Sequence, residues 1–188
     1  MVKRIAYLGP AGTFTEEAAL RYDPTSQLIP LPSIPAVASS VETSIADEGV
    51  VPIENSLEGS VTDTLDVLIH ESDLQIRREL VMPIDHCLLA KAGSKAEEIK
   101  LIFSHPQALA QCRRFIERCF PKAQLSAALS TAAAVEEMLS SNIPSAAIGT
   151  KRAAEIYGVD IMARGIQDQA SNATRFVVLA PKDHPPTG

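Results

Sequence analysis

The stretch from Asn172 to Pro181, NATRFVVLAP, places three polar side chains directly before an apolar run that is typical of a buried strand. Asn172 and Thr174 can donate and accept hydrogen bonds, and the guanidinium of Arg175 can bind an anion through paired N–H groups. Because these residues precede a strand, no helix cap explains them. The local sequence leaves two alternatives open for Arg175, a surface ion pair and the binding of an anion.

Two other polar segments follow predicted strands. PIENSLEG places Glu54 and Asn55 just past a strand, although a solvated turn before the next helix explains the same residues. SHPQ places Ser104 three residues before Gln107, so a helix-capping box is the alternative to a chemical role for Ser104. Gln111 follows one helical turn later, at the margin of an apolar stripe, where it can face a ligand or solvent.

The segment GPAGT joins the first predicted strand to the first predicted helix. Its glycines would let the backbone approach a ligand, and the N–H groups at the helix start could hold a carboxylate. A tight turn followed by a capping box of Thr13 and Glu16 explains the same residues. Taken alone, the segment favours the turn.

Short apolar runs alternate with amphipathic segments along the chain, which predicts α/β layers. Residues 74–90 predict an extended crossing between two lobes, and a compact βαβαβ pattern follows it. Pro52 inside GVVPIEN predicts an edge strand, a bulge or an early strand end. Apolar helix faces are predicted at Ile34, Val37, Val41 and Ile45, at Val61, Leu65, Leu68 and Ile69, and at Leu109, Cys112, Ile116 and Cys119.

The composition is that of an ordinary globular protein of 188 residues, 46% hydrophobic and 21% charged. A net charge of -6 argues against a nucleic-acid surface, so any site for an acidic ligand must be positive only locally. The three cysteines, Cys87, Cys112 and Cys119, lack CxxC spacing and are expected to be reduced, buried thiols. Neither a signal peptide nor a membrane span is recognisable, which predicts a cytoplasmic protein that does not bind membranes.

Six motifs, in the family's order, resemble those of prephenate dehydratases: YLGPAGTF, VVPIENSLEGSV, HCLL, FSHPQALAQC, AAIG and DQASNATRF. The resemblance implies an α/β, two-lobed fold like that of type II periplasmic binding proteins. Each lobe would be a mixed sheet flanked by helices, with the active site in the cleft between lobes. We expect residues 1–79 with 169–182 in the first lobe, 80–168 in the second, and 183–188 as a tail toward a missing regulatory domain.

The resemblance further implies a lyase that converts prephenate to phenylpyruvate, water and CO2 in phenylalanine biosynthesis, with no cofactor and no metal. Thr174 matches the main catalytic position, where its hydroxyl would donate to the leaving oxygen. Glu54 would be a second acid if burial raises its pKa, and would otherwise orient a donor. Arg175 is the expected anchor for a carboxylate. The other matched positions are Ser104 and Gln111 for catalysis and Gly12, Thr13, Asn55, Ser56, Asn172 and Phe176 for substrate binding.

Two features depart from the family pattern. Family members typically continue into an ACT regulatory domain that binds phenylalanine, whereas this chain ends at PPTG, about where that domain should begin. We therefore expect the ACT domain in the full-length family member and attribute no feedback control to this chain. The loop PSIPAV carries prolines where an aromatic residue is expected after the serine, so no site role is assigned to it. Family members are usually homodimers or larger, which is also expected here.

Two other functions are compatible with the same residues. Arogenate dehydratase would act on the amino analogue of prephenate and release phenylalanine. A non-enzymatic two-lobed module would bind a small molecule without turnover, and the fold alone does not separate binding from catalysis.

Overall fold

The structure, a computed structural model, describes residues 2–182, and the tail expected over 183–188 lies outside the described residues. The described chain forms two compact units. The first unit comprises residues 2–10, 14–84 and 171–182, and the second comprises residues 11–13 and 85–170. The segment expected to cross between lobes contains one strand of each unit.

Strands and helices alternate along most of the chain. The strands are β1 (Arg4–Leu8), β2 (Gln27–Leu31), β3 (Glu48–Asn55), β4 (Gly59–Ser60), β5 (Gln75–Pro83), β6 (Cys87–Ala90), β7 (Leu101–Ser104), β8 (Gln124–Ala127), β9 (Ser145–Gly149), β10 (Asp160–Arg164) and β11 (Ala173–Ala180). The helices are α1 (Phe14–Tyr22), α2 (Ile34–Glu42), α3 (Thr62–Asp66), α4 (Pro106–Gln111), α5 (Arg113–Cys119), α6 (Thr131–Ser140) and α7 (Lys151–Tyr157), with a π-helical turn at Val67–Glu71 and a 3-10 turn at Ala96–Glu98. Across residues 2–182 we find no helix with the length and hydropathy that a membrane crossing requires.

The sheet of the first unit has the strand order β2-β1-β3-β11-β5, with β4 paired to the end of β3. β1 is parallel to both of its neighbours, whereas β11 is antiparallel to β3 and β5. Val177 and Leu179 of β11 pack in a core that includes α2, and Phe176 and Val178 pack in a core that includes α1. The prediction that FVVLA is a buried strand is confirmed, because alternate side chains enter two hydrophobic layers.

The sheet of the second unit has the order β10-β6-β9-β7-β8. β7 is parallel to β8 and β9, whereas β6 is antiparallel to β9 and β10. Leu89 and Val135 belong to a core with α6 and α7, and Ile102 and Ile116 belong to a core with α4 and α5. The predicted fold class of mixed sheets flanked by helices is therefore confirmed in both units.

Three side chains predicted on apolar helix faces are exposed instead: Ile45, Ile69 and Cys119. Ile45 lies beyond the end of α2, and Ile69 lies in the π-helical turn, which changes the phase of the apolar stripe. The single helix predicted over 106–120 is two helices separated at Cys112, so Cys119 no longer shares a face with Cys112.

Pro52 lies at a bulge, one of the outcomes predicted for a proline in this strand. Arg175 pairs with Glu54 and Phe176 pairs with Pro52, so Ile53 is the additional residue on β3. Beyond the bulge, Asn55 pairs directly with Thr174. The bulge therefore sets the register of the polar residues at the end of β3.

Candidate functional site

Asn55, Asn172 and Thr174 form a hydrogen-bonded group that we call the Asn55 cluster. The Asn55 Nδ2 group donates to Asn172 Oδ1 at 2.9 Å and to Thr174 Oγ1 at 2.8 Å. All three residues are buried. Because the Thr174 oxygen accepts this bond, its own hydroxyl proton is left to point at another acceptor. The sequence prediction that these residues act together rests on motif order, and the structure brings their atoms into contact.

The turn after β3 fixes which way the Asn55 amide faces. Asn55 Oδ1 accepts from the backbone N–H groups of Leu57 at 3.0 Å and Glu58 at 3.2 Å. With its oxygen held by the turn, the amide presents its N–H donors to Asn172 and Thr174. The solvated turn considered for PIENSLEG is thus present, with residues 56–60 exposed, and it also orients the donor.

Ser56 holds the strand segment that carries Thr174. Its backbone N–H donates to the Ala173 carbonyl at 2.9 Å, and its Oγ accepts from the Ala173 N–H at 2.9 Å. Ser56 Oγ also donates to the Ser171 carbonyl at 3.4 Å. These contacts give Ser56 a part in positioning the segment 171–173.

Arg175 forms ion pairs on the opposite side of β11 from Thr174, because successive strand residues point to opposite faces. Its Nε lies 3.6 Å from Glu54 Oε2 and 3.5 Å from Glu79 Oε1. The Arg175 side chain is 48% exposed and both carboxylate side chains are 49% exposed. Thr174 and Arg175 are neighbours on β11, so the pleat of the strand directs their side chains to opposite faces.

Glu54 does not meet the condition on which an acid role was predicted. That role required a buried carboxyl, whereas the Glu54 side chain is half-exposed and lies beside a guanidinium. The solvated alternative considered from the sequence matches this environment.

Gly12 and Thr150 form a close backbone junction in the second unit. Thr150 Oγ1 donates to the Gly12 carbonyl at 2.7 Å and accepts from the Ala153 N–H at 2.8 Å, which caps α7. Gly12 has φ +88°, and a Cβ at this position would lie 3.2 Å from Ala153 and 3.4 Å from Ala132. The positive φ and the close packing together favour glycine here. Thr13, the next residue, is buried directly before α1.

Ser104 does not cap the helix that follows β7. His105 occupies the N-cap position of α4, where its ring nitrogen accepts from the Gln107 N–H at 3.4 Å. Ser104 is fully buried and donates its hydroxyl to the Ile148 carbonyl at 2.8 Å. The capping box considered as the alternative for Ser104 is absent because the helix begins at Pro106, and Ser104 links β7 to the end of β9 instead. Phe176 likewise lies within a hydrophobic core, which gives it a packing role.

Gln111 is positioned by residues that the sequence did not single out. Its Oε1 lies 3.0 Å from His86 Nε2, and its backbone carbonyl accepts from the Asp168 N–H at 2.7 Å. Both partners lie in quoted motifs, His86 at the start of HCLL and Asp168 at the start of DQASNATRF. Nothing in their spacing places them beside Gln111, which is 25 residues from His86.

Burial shifts the pKa values of two groups of the second unit, His86 and Cys112, in opposite directions, and in both cases it favours the uncharged form. Burial lowers the pKa of His86, partly offset by the hydrogen bond with Gln111 and by the nearby Asp85 carboxylate. Burial, with a smaller contribution from Asp168, raises the pKa of the Cys112 thiol to about 12. Burial thus favours the neutral imidazole of His86, and Cys112 is a buried thiol rather than a nucleophile.

Comparisons with known proteins place the chain among dehydratases. The sequence profile of the family "Prephenate dehydratase" matches residues 5–184. Arogenate dehydratase 5, chloroplastic, of Arabidopsis thaliana is 43% identical over 178 residues, which cover 94% of this chain and 42% of that protein. The bifunctional chorismate mutase/prephenate dehydratase of Aquifex aeolicus is 44% identical over 186 residues, which cover 98% of this chain and 51% of that protein. The chain thus spans about half the length of these relatives.

The fold has a close counterpart among solved structures. Prephenate dehydratase from Arthrobacter aurescens, solved in complex with L-Phe, superposes with a TM-score of 0.91 at 34% identity. The match covers 98% of this chain and 62% of that one. With the profile match, these similarities establish that the chain belongs to the prephenate dehydratase family.

Proposed function

We propose that the chain catalyses the decarboxylative dehydration of prephenate to phenylpyruvate, as a step in the synthesis of phenylalanine. In this reaction the bond between the ring and its carboxylate breaks and releases CO2. Its electron pair enters the ring and expels the ring hydroxyl, which takes up one proton and leaves as water. The enzyme must therefore deliver a proton to the leaving oxygen.

The observation that carries the proposal is the hydrogen bond from Asn55 Nδ2 to Thr174 Oγ1. A hydroxyl that accepts one hydrogen bond becomes a stronger donor for another, because the two bonds polarise each other. Thr174 is the proposed donor to the leaving oxygen and passes on a proton that it recovers from solvent. Such positioned proton transfer contributes on the order of 100- to 10,000-fold in rate.

The remaining proposed roles follow from the contacts of each residue. Asn55 and Asn172 hold Thr174, Ser56 positions the segment 171–173, and Ser104 joins β7 to β9 within the second unit. Gln111 is proposed to hydrogen-bond the substrate, and the backbone at Gly12 and Thr13 to assist in binding a carboxylate.

Arg175 is proposed to anchor a carboxylate of the substrate, on the condition that it first leaves its two carboxylate partners. It would have to leave Glu54 and Glu79, whose half-exposed pairs with it are worth no more than about 1 kcal/mol. Glu54 is proposed to act only through this pair.

The proposal is tested by following phenylpyruvate formed from prephenate by the purified chain and by two variants. Thr174→Val keeps the shape of the side chain and removes the hydroxyl, so turnover should fall about 100- to 10,000-fold. Thr174→Ser keeps the hydroxyl and should retain most of the activity. Equal turnover by the Val and Ser variants would remove Thr174 from the proton transfer.

Arogenate is the second candidate substrate, because relatives named arogenate dehydratases are as similar to this chain as those named prephenate dehydratases. The two substrates differ only in a side-chain keto or ammonium group. Comparing kcat/KM for both with the same enzyme preparation would decide the preference. Binding of prephenate without turnover of either compound would favour the non-enzymatic module.

We also propose a cytoplasmic location and a homodimer or larger homo-oligomer, and an ACT domain in the full-length protein. All three cysteines are thiols rather than disulfides, which agrees with a reducing compartment. Light scattering on the purified chain, with and without phenylalanine, would measure the assembly state and any response to that ligand.

A further inference from the structure

His86 lies in the second unit between β5 and β6 and is only 3% exposed. Its backbone is held on both sides by one segment of chain. The His86 N–H donates to Gln167 Oε1 at 3.0 Å, and the His86 carbonyl accepts from the Ile166 N–H at 3.2 Å. The position of the imidazole is therefore set by main-chain and side-chain bonds that do not involve its ring.

The same segment fixes Gln111. The Asp168 N–H donates to the Gln111 carbonyl at 2.7 Å, and the Asp168 carboxylate accepts from the Arg114 N–H at the start of α5. His86 and Gln111 are thus both attached to residues 166–168. This shared attachment holds the imidazole Nε2 and the amide Oε1 at 3.0 Å from each other.

The proton on this hydrogen bond must belong to the imidazole. The Gln111 Oε1 atom can only accept, so His86 Nε2 carries the hydrogen and donates. A neutral imidazole has a single N–H group, and the Asp85 carboxylate is the charged group that acts on it. With its oxygen engaged by His86, the Gln111 amide turns its two N–H groups away from the ring.

We propose that His86 is a positioning residue that fixes the Gln111 amide as a hydrogen-bond donor to an oxygen of the bound substrate. This inference rests on the proposed function, since Gln111 is there assigned to the substrate. Without His86 the amide can rotate by half a turn and present its oxygen, which would repel a carboxylate. The Asn55 amide is oriented in a similar way in the first unit. A turn holds its oxygen, and its N–H group donates to Thr174.

The first test is a double-mutant cycle of His86→Phe and Gln111→Ala on prephenate turnover. Misplacement of a binding group by about 1 Å can reduce the rate by about 100-fold, so each single change should reduce kcat/KM by about 10- to 100-fold. If His86 acts through Gln111, the double variant should be no slower than Gln111→Ala alone. If the loss in the double variant were the product of the two single losses, the inference would be overturned, while the proposed function would stand.

Conservative replacement separates positioning from folding. His86→Gln supplies an N–H donor near the position of Nε2 and should recover activity to within about 10-fold of the parent chain. The same change at the exposed His70 is the matched control and should leave activity unchanged. Recovery no better than that of His86→Phe, with both variants folded, would contradict the role of the donor.

The second test does not depend on activity or on a variant that folds poorly. Nitrogen-15 NMR of the histidines in the parent chain at neutral pH should show one neutral ring protonated at Nε2, with the signal assigned by its loss in His86→Gln. A ring protonated at Nδ1, or at both nitrogens, would overturn the inference. A parent chain that converts neither prephenate nor arogenate would instead defeat the proposed function, whatever the tautomer.

Discussion

Thr174 and Arg175 are neighbours in sequence but lie in different chemical environments. Thr174 is 8% exposed and accepts a hydrogen bond from a buried amide that is itself held by a turn. Arg175 is 48% exposed and lies between two half-exposed carboxylates. One side of β11 therefore carries a neutral, buried and hydrogen-bonded group, and the other carries a solvent-screened set of charges.

The two faces of β11 differ in how firmly they hold their side chains. A buried hydrogen bond between neutral groups has a defined geometry, and leaving one of its members unsatisfied costs about 1–3 kcal/mol. An exposed ion pair contributes about 0–1 kcal/mol and can be exchanged for solvent. The conspicuous charge in NATRF is thus the less constrained feature, and the hydroxyl beside it is the one held in place.

The largest expected effect comes from disrupting the Asn55 cluster, on the buried side of β11. Asn55→Asp replaces the donor with a carboxylate oxygen that faces the oxygens of Asn172 and Thr174. We expect turnover to fall by about 100-fold or more and the free energy of unfolding to fall by about 1–3 kcal/mol. The measurements are steady-state kinetics with prephenate and urea unfolding.

The same substitution at the exposed Asn142 provides the control and should change neither quantity. If Asn55→Asp kept the turnover of the parent chain, the neutral side of β11 would have no special part in the reaction.

A smaller effect is expected on the charged side. Arg175→Lys keeps the charge but loses the planar fork, so KM for prephenate should rise about 10-fold if the guanidinium anchors a carboxylate, while kcat should hold. Arg113→Lys, at another exposed ion pair with Glu117, is the matched control. An unchanged KM would make Arg175 structural, and a fall in kcat as large as that of Asn55→Asp would end the contrast between the two sides.

The two carboxylates beside Arg175 allow a direct role of Glu54 to be separated from its ion pair. Glu54→Gln and Glu79→Gln remove equivalent ion pairs, at 3.6 and 3.5 Å from the same Nε atom. If both act only through Arg175, the two variants should have equal activity, within about threefold of the parent chain and with less than about 1 kcal/mol lost in stability. A selective loss of kcat in Glu54→Gln, measured in the same assay, would restore a direct role for Glu54.

The sequence predicted elements well wherever hydrophobic periodicity determines them. The strand FVVLA and the α/β class follow from side-chain alternation. The missing N–H of proline predicted an irregularity at Pro52, and the bulge is one of the three outcomes that the sequence left open. The prediction that Cys119 is buried was wrong because the helix that was to carry it is interrupted at Cys112. Composition does not encode such a local change of helical phase.

The candidate site was predictable as a set of segments but not as a geometry. Motif order selected Asn55, Gln111 and Thr174, whereas the separation of Thr174 from Arg175 required the strand pleat to be considered residue by residue. His86 was missed because its link to Gln111 is a long-range contact between a loop and a helix end. A single sequence gives no signal for such a contact.

The smallest expected effect is a dependence of stability on pH that arises from a second buried neutral group, His86. Burial lowers the pKa of His86 in the folded protein, so the unfolded chain binds the proton more readily. The stabilisation from the neutral ring is fully present above the usual histidine pKa of about 6.5 and is lost as the pH falls through the folded value.

Urea unfolding across this range should show the parent chain losing stability toward acid more steeply than His86→Gln. The carboxylate of Asp47, whose pKa is lowered by hydrogen bonding to Arg4, also loses stabilisation in acid, but equally in both proteins. Parallel pH profiles for the two proteins would mean that the His86 ring is not held neutral, and that the buried, uncharged character shared with the Thr174 side of β11 does not extend to the second unit.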